Sequence, residues 1–164
     1  MQNALRAHWP EYLMEAAELG LFMISASFFV VLIEHPSLPL RAAIDDPFVR
    51  RILIGIAMGV TAIAIVLSPL GKRSGAHFNP AVTLTFWRLG KIEGWDALFY
   101  VVAQSIGAVA GVMLFEILAG TRFVADPSVN YVATLPGEAG VTWAFVAEVL
   151  ISFGLMLTVL HVSN

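Results

Sequence analysis

The chain has 164 residues, of which 59% are hydrophobic and only 13% charged, with a formal net charge of -3. Its mean hydropathy of +0.82 lies far outside that of an ordinary soluble domain and places the chain in a bilayer. The nine Lys and Arg form no stripe, so nothing points to a nucleic-acid partner, and without cysteine there is neither a disulfide framework nor a thiolate metal site.

Crossing ~30 Å of hydrocarbon takes about 20 helical residues. A first apolar stretch of that length runs over about 12–33. Glu11, Glu15 and Glu18 at its upstream flank, and the lack of a small-residue cleavage site, read as a retained helix rather than a secretory signal. Pro36, Pro39, Asp45, Asp46 and Pro47 make 34–51 a turn-rich connection. The second span, about 52–70, carries Gly55 and Gly59, and the third, about 97–119, carries Gly107 and Gly111. Small residues four apart let helices approach closely in lipid, so both pairs concern packing rather than chemistry. A second turn-rich stretch ends near Gly140, and the fourth span runs over about 139–161. With the N-terminus inside, Arg6, Lys72, Arg73, Arg88 and Lys91 face the cytoplasm, against Arg41, Arg50, Arg51 and Arg122 outside, a near balance. The pattern is that of an all-α, multi-pass transmembrane helix bundle forming a single domain over 1–164.

Between the second and third spans lies a segment that does not fit the series. Helix breakers in 68–75 lead into 76–89, which is largely apolar but too short to span. Asn79 stands where an N-cap belongs and Pro80 at the first helical position, where its missing N–H costs nothing. A helix over about 79–89 is roughly 15 Å long at 1.5 Å per residue, so it reaches half way through the membrane. Irregular backbone at that depth is tolerated only where it is buried in protein or lines a water-filled cavity. A half-helix aimed at the membrane centre presents its positive dipole end and free N–H groups there. The carbonyls of Gly75, Ala76 and His77 would then line a file of water or small alcohols, with the Asn79 amide as donor. The plainer reading is a capped re-entrant or interfacial helix with no transport role.

Ser74-Gly75-Ala76-His77-Phe78-Asn79-Pro80-Ala81-Val82-Thr83 resembles the first NPA signature of the aquaporin and glycerol-facilitator family. Tyr100 to Ala108 resembles that family's third helix, and Ala144 to Glu148 the start of its fourth. The resemblance implies three spanning helices plus a re-entrant half-helix as a first repeat, followed by the first helix of a second repeat. Glu15-Ala16-Ala17-Glu18-Leu19-Gly20 and Glu148-Val149-Leu150-Ile151-Ser152-Phe153-Gly154 are the corresponding starts, offset by one residue. It further implies that Asn79, Pro80, Ala81, Gly75, Ala76 and His77 line a pore, and that Met58 or Gly59 is the second helix's contribution to a selectivity constriction. A small or flexible residue there leans away from a strict water-only filter. Glu148 is expected to be buried and to hold backbone N–H groups of 74–78, with Glu15 or Glu18 as its counterpart in the first helix. The implied partners are water or a small neutral solute, the lipid bilayer and, once completed, three further copies in a homo-tetramer. A second NPA segment would lie beyond Asn164, so the 164 residues alone are expected not to conduct.

The remaining polar residues read more simply. Gln104, mid-span, is an interhelical hydrogen-bonding residue, and Glu18 also reads as an acid near the helix end reaching for the interface. His77 has no histidine or carboxylate at ligand spacing, so it reads as a loop histidine that packs and hydrogen-bonds. Trp9, Trp87, Trp95 and Trp143 fall near segment ends, as in an aromatic belt. Three functions compete: a passive channel, a non-conducting membrane protein acting in assembly, and an intramembrane hydrolase using His77. The first is preferred; it needs no cofactor and no catalytic residue.

Overall fold

The computed structural model of the chain describes residues 1–162. Among them every regular element is helical: α1 (Gln2–Glu34), α2 (Pro39–Ala43), α3 (Pro47–Leu67), α4 (Pro69–Ser74), α5 (Pro80–Arg88), α6 (Gly94–Ala119), α7 (Thr121–Val124), a short 3-10 turn (Asn130–Val132) and α8 (Val141–Val162). Four of them, α1, α3, α6 and α8, are long and apolar enough to cross a membrane. The chain divides into two compact units, Met1–Val132 and Ala133–Asn164.

In the first unit α1 lies along α6, and glycine is what allows it. A Cβ on Gly107 would run into the Ala16 carbonyl, and one on Gly111 into that of Gly20. Lipid tails give no hydrophobic drive for helices to associate, so close backbone approach and its dispersion contacts supply the attraction. Gly55 and Gly59 on α3 have nothing near them, so of the two GxxxG pairs only the α6 pair is used within this unit. Thr61 ties α3 to α1 through a 2.7 Å hydroxyl contact with Ser25.

Proline and short polar side chains set the ends of α3. Asp46 caps it by accepting from the Phe48 N–H at 2.7 Å, with Pro47 in the first turn. Ser68 closes α3 and opens α4, its hydroxyl accepting from Gly71 N–H at 3.1 Å, while Pro69 forbids continuation of α3. The connection before α3 is more than a polar loop. Arg50 is 6% exposed and donates to Glu34 Oε2 (3.0 Å) and to the carbonyls of Ile44 (2.7 Å) and Asp45 (2.9 Å). Arg41 adds a second bond to the Glu34 backbone carbonyl. At the same end Val31, Phe115, Val124 and Val129 form a small buried cluster under α7 and the turn that follows.

The second unit holds α8, preceded by a turn in which Gly140 N–H donates to the Gly137 carbonyl at 2.9 Å. None of the described α8 residues is buried.

Candidate pore-lining half-helix

The segment between α4 and α5 is built as an irregular bridge with a capped exit. α4 ends on Gly75 at φ 94°, a left-handed conformation that glycine adopts at no steric cost. Ala76 (φ 51°) and Phe78 (φ 24°) also have positive φ, which costs a residue with a Cβ about 1 kcal/mol or more and persists only when the surroundings over-determine it. Asn79 then accepts from Ala81 N–H at 2.8 Å and starts α5, with Pro80 in its first turn. The expected cap and helix of 79–89 are present, ending at Arg88.

Buried side chains of α1 and α6 hold the strained backbone. Glu15, fully buried, accepts from His77 N–H at 2.9 Å through Oε1 and from Phe78 N–H at 2.7 Å through Oε2. Gln104, also fully buried, donates its amide to Glu15 Oε2 at 2.6 Å and to Thr83 Oγ1 at 3.0 Å. Thr83 Oγ1 also lies 3.1 Å from His77 Nδ1, which ties the loop histidine to the same network. From α6, Tyr100 OH donates to the Ser74 carbonyl at 2.7 Å. The His77 ring packs between Phe86 and Tyr100, with centroids 4.9 and 5.3 Å away. The bonds from α1 and α6 thus take the N–H groups of His77 and Phe78 and the Ser74 carbonyl, and none of them ends on the carbonyls of Gly75, Ala76 or His77.

Several expectations meet this geometry differently. Glu15, Gln104 and His77 come together in one network, whereas Glu148 belongs to the second unit and is exposed. The two N–H groups expected on Glu148 are held by Glu15, because α1 is the element that carries a carboxylate to hydrogen-bond distance of the loop. Glu18 does not reach for an interface. It is fully buried, and its Oε1 accepts from Ser74 Oγ at 2.7 Å while Ser74 Oγ accepts from Ala76 N–H at 3.0 Å. Thr83 and Tyr100 stand in the network without having been singled out in the sequence. The available signal was a hydroxyl in an apolar half-helix and a phenol in an apolar span. Met58 is half-buried and Gly59 exposed on α3.

Helices long and apolar enough to cross a membrane, with a half-length helix whose entry loop is bound by their buried polar side chains, define a multi-pass membrane protein. The family model described as Major intrinsic protein matches residues 14–164, and the chain belongs to that family. It is 39% identical over 110 residues to "Probable aquaporin AqpM" of Archaeoglobus fulgidus, a match covering 67% of this chain and 44% of that protein. It is 36% identical over 113 residues to "Aquaporin AqpM" of Methanothermobacter marburgensis, covering 68% and 45%. With "Aquaporin Z" of Photorhabdus laumondii it shares 24% over 134 residues, 78% of this chain and 58% of that one. The matched part of the chain thus spans less than half the length of either archaeal relative. No solved structure gives a significant match.

Proposed function

We propose that these residues form the first repeat of a passive transmembrane channel for water and small neutral solutes such as glycerol, with the Asn79–Arg88 half-helix and its entry loop lining the file. The observation that carries the reading is the one-sided satisfaction of the loop. Its His77 and Phe78 N–H groups are tied back to Glu15 and its Ala76 N–H to Ser74 Oγ, and that leaves the carbonyls of Gly75, Ala76 and His77 as acceptors for a passing solute. The Asn79 oxygen is spent on the helix cap, so its amide nitrogen serves as a donor beside them. Such a site acts by geometry and dipoles and makes no covalent bond, so no reaction, metal or cofactor enters. The names of the relatives support the channel class, and family resemblance supports a homo-tetramer as the assembled form.

The test is stopped-flow light scattering on vesicles containing these 164 residues joined to a matching second repeat. Osmotic shrinkage several-fold faster than in protein-free vesicles is expected, with glycerol uptake measured in parallel to separate the solutes. Asn79→Ala should lower the permeability. Shrinkage at the protein-free rate would overturn the proposal.

A further inference from the structure

Residues 1–9 stand outside the packed part of the first unit. All of them are exposed except Ala4, and α1 runs on from them through Pro10. Proline has no N–H to give the Arg6 carbonyl, so the helix lacks one rung of its ladder where this arm meets the packed part of α1. His8 docks the arm on α6. Its Nδ1 lies 3.0 Å from Oδ1 of Asp96, in the first turn of that helix. Asp96 is buried, and the same Oδ1 accepts from the hydroxyl of the buried Tyr12, so the carboxylate is held in place by a second partner whatever His8 does. Beyond Pro10 the helix is secured again: Arg73 Nε of α4 donates to Glu11 Oε1 at 3.0 Å, and the Tyr12 ring packs on Phe99 and Tyr100. The arm thus hangs between a proline-weakened turn and a histidine.

We propose that His8 is a pH-operated clasp: protonated, it holds the 1–9 arm on α6 through Asp96, and on losing its proton it lets the arm pivot about Pro10. The groups that face the ring are Asp96 and Glu93 from α6 and Glu11 from its own helix, the last engaged with Arg73 of α4. The hydrogen bond to Asp96 raises the imidazole above its ordinary value of 6.5; partial burial works against this, and the charges of Asp96, Glu11 and Glu93 add to the rise. A value raised in the docked state means that the proton favours docking. The clasp is therefore fully made below 6.5 and is lost as the pH climbs through the raised value. The His8 side chain is 52% accessible, so the pair has the strength of a surface ion pair, which suits a moving arm and not the holding of a fold. The clasp is independent of what the half-helix conducts.

The sequence has no cysteine, so Leu5→Cys gives a nitroxide a single position on the exposed arm. Electron paramagnetic resonance of the labelled 164-residue chain in lipid nanodiscs reads the ratio of mobile to immobile label. From about pH 5.5 to about pH 8.5 that ratio should rise roughly two- to fivefold, the scale of one exposed ion pair. The midpoint should lie above 6.5. His8→Gln should leave the arm mobile at every pH, whereas His8→Arg, which keeps a charge throughout, should leave it docked. Asp96→Asn still accepts from Tyr12 and should mobilise the arm even at low pH, with helicity by circular dichroism checked for each variant. An unchanged ratio across the titration overturns the proposal. So does the same titration in His8→Gln, since another group would then carry the proton, or a midpoint below 6.5.

Discussion

Glu15 carries more of the site than any other side chain. Two backbone N–H groups and one amide converge on its two oxygens, within 2.6–2.9 Å. Both backbone donors sit in a stretch that contains two residues at positive φ, so the carboxylate also offsets conformational strain. Glu15→Leu leaves those donors buried without an acceptor, and should cost roughly 2–4 kcal/mol of stability in detergent unfolding. Glu15→Gln keeps one acceptor oxygen but turns an NH2 group toward a donor, so it should fall between the two. An unfolding curve for Glu15→Leu that overlays the unmodified chain would show that the loop is held by something else. The Asn79 cap was legible in the sequence because a cap is local: Asn79 and Ala81, its partner, are two residues apart. The Glu15 contact spans 62 residues, and nothing in the order of residues tells which of several carboxylates will face the loop. The same holds for Glu18, which also reads locally as an acid near a helix end and is fully buried against Ser74, 56 residues away.

At the scale of elements, the fold rests on how closely helices approach, and here two similar motifs part company. The Gly107 and Gly111 faces are occupied by the α1 backbone, while Gly55 and Gly59 look onto open space. Both pairs have the same spacing, so the sequence marks them alike; only the pairing of α1 with α6 separates them. Gly107→Ala must push the helices apart, because its Cβ meets a carbonyl rather than the mobile end of a side chain. Overpacking of this kind costs about 1–3 kcal/mol, and the polar bonds from α6 to the loop should weaken with it. Gly55→Ala meets nothing within 4 Å, so in the isolated chain its cost should stay within about 0.5 kcal/mol. Thermal unfolding of the two variants in the same detergent is the comparison. Equal losses would mean that α3 uses its glycines against a partner after all. The four spans themselves were read from apolar length alone, although α1 begins ten residues before the apolar stretch, at Gln2. Apolarity locates the membrane and not the helix end, and the helix continues past Pro10 into the exposed Trp9 and Leu5.

For the molecule as a whole, the length of α5 sets a limit on what these residues achieve by themselves. Its nine residues reach about 14 Å at 1.5 Å per residue, against ~30 Å of hydrocarbon. A file of water across the remaining depth needs polar groups that α5 and its loop do not supply. On α8, Phe145, Leu150 and Ile151 are each more than 60% accessible beside the exposed Glu148, and such hydrocarbon side chains suit lipid or other helices better than a water file. The family resemblance implies a second half-helix meeting the first end to end, with opposed dipoles that orient the central water and block proton hopping. The 164-residue chain purified and reconstituted alone should therefore show no water permeability above the lipid background. Joined to a second repeat, the same residues should conduct water without a proton leak. The decisive arm is the short chain: fast osmotic shrinkage of its vesicles, with an internal pH dye showing no proton flux, would mean that one half-helix suffices.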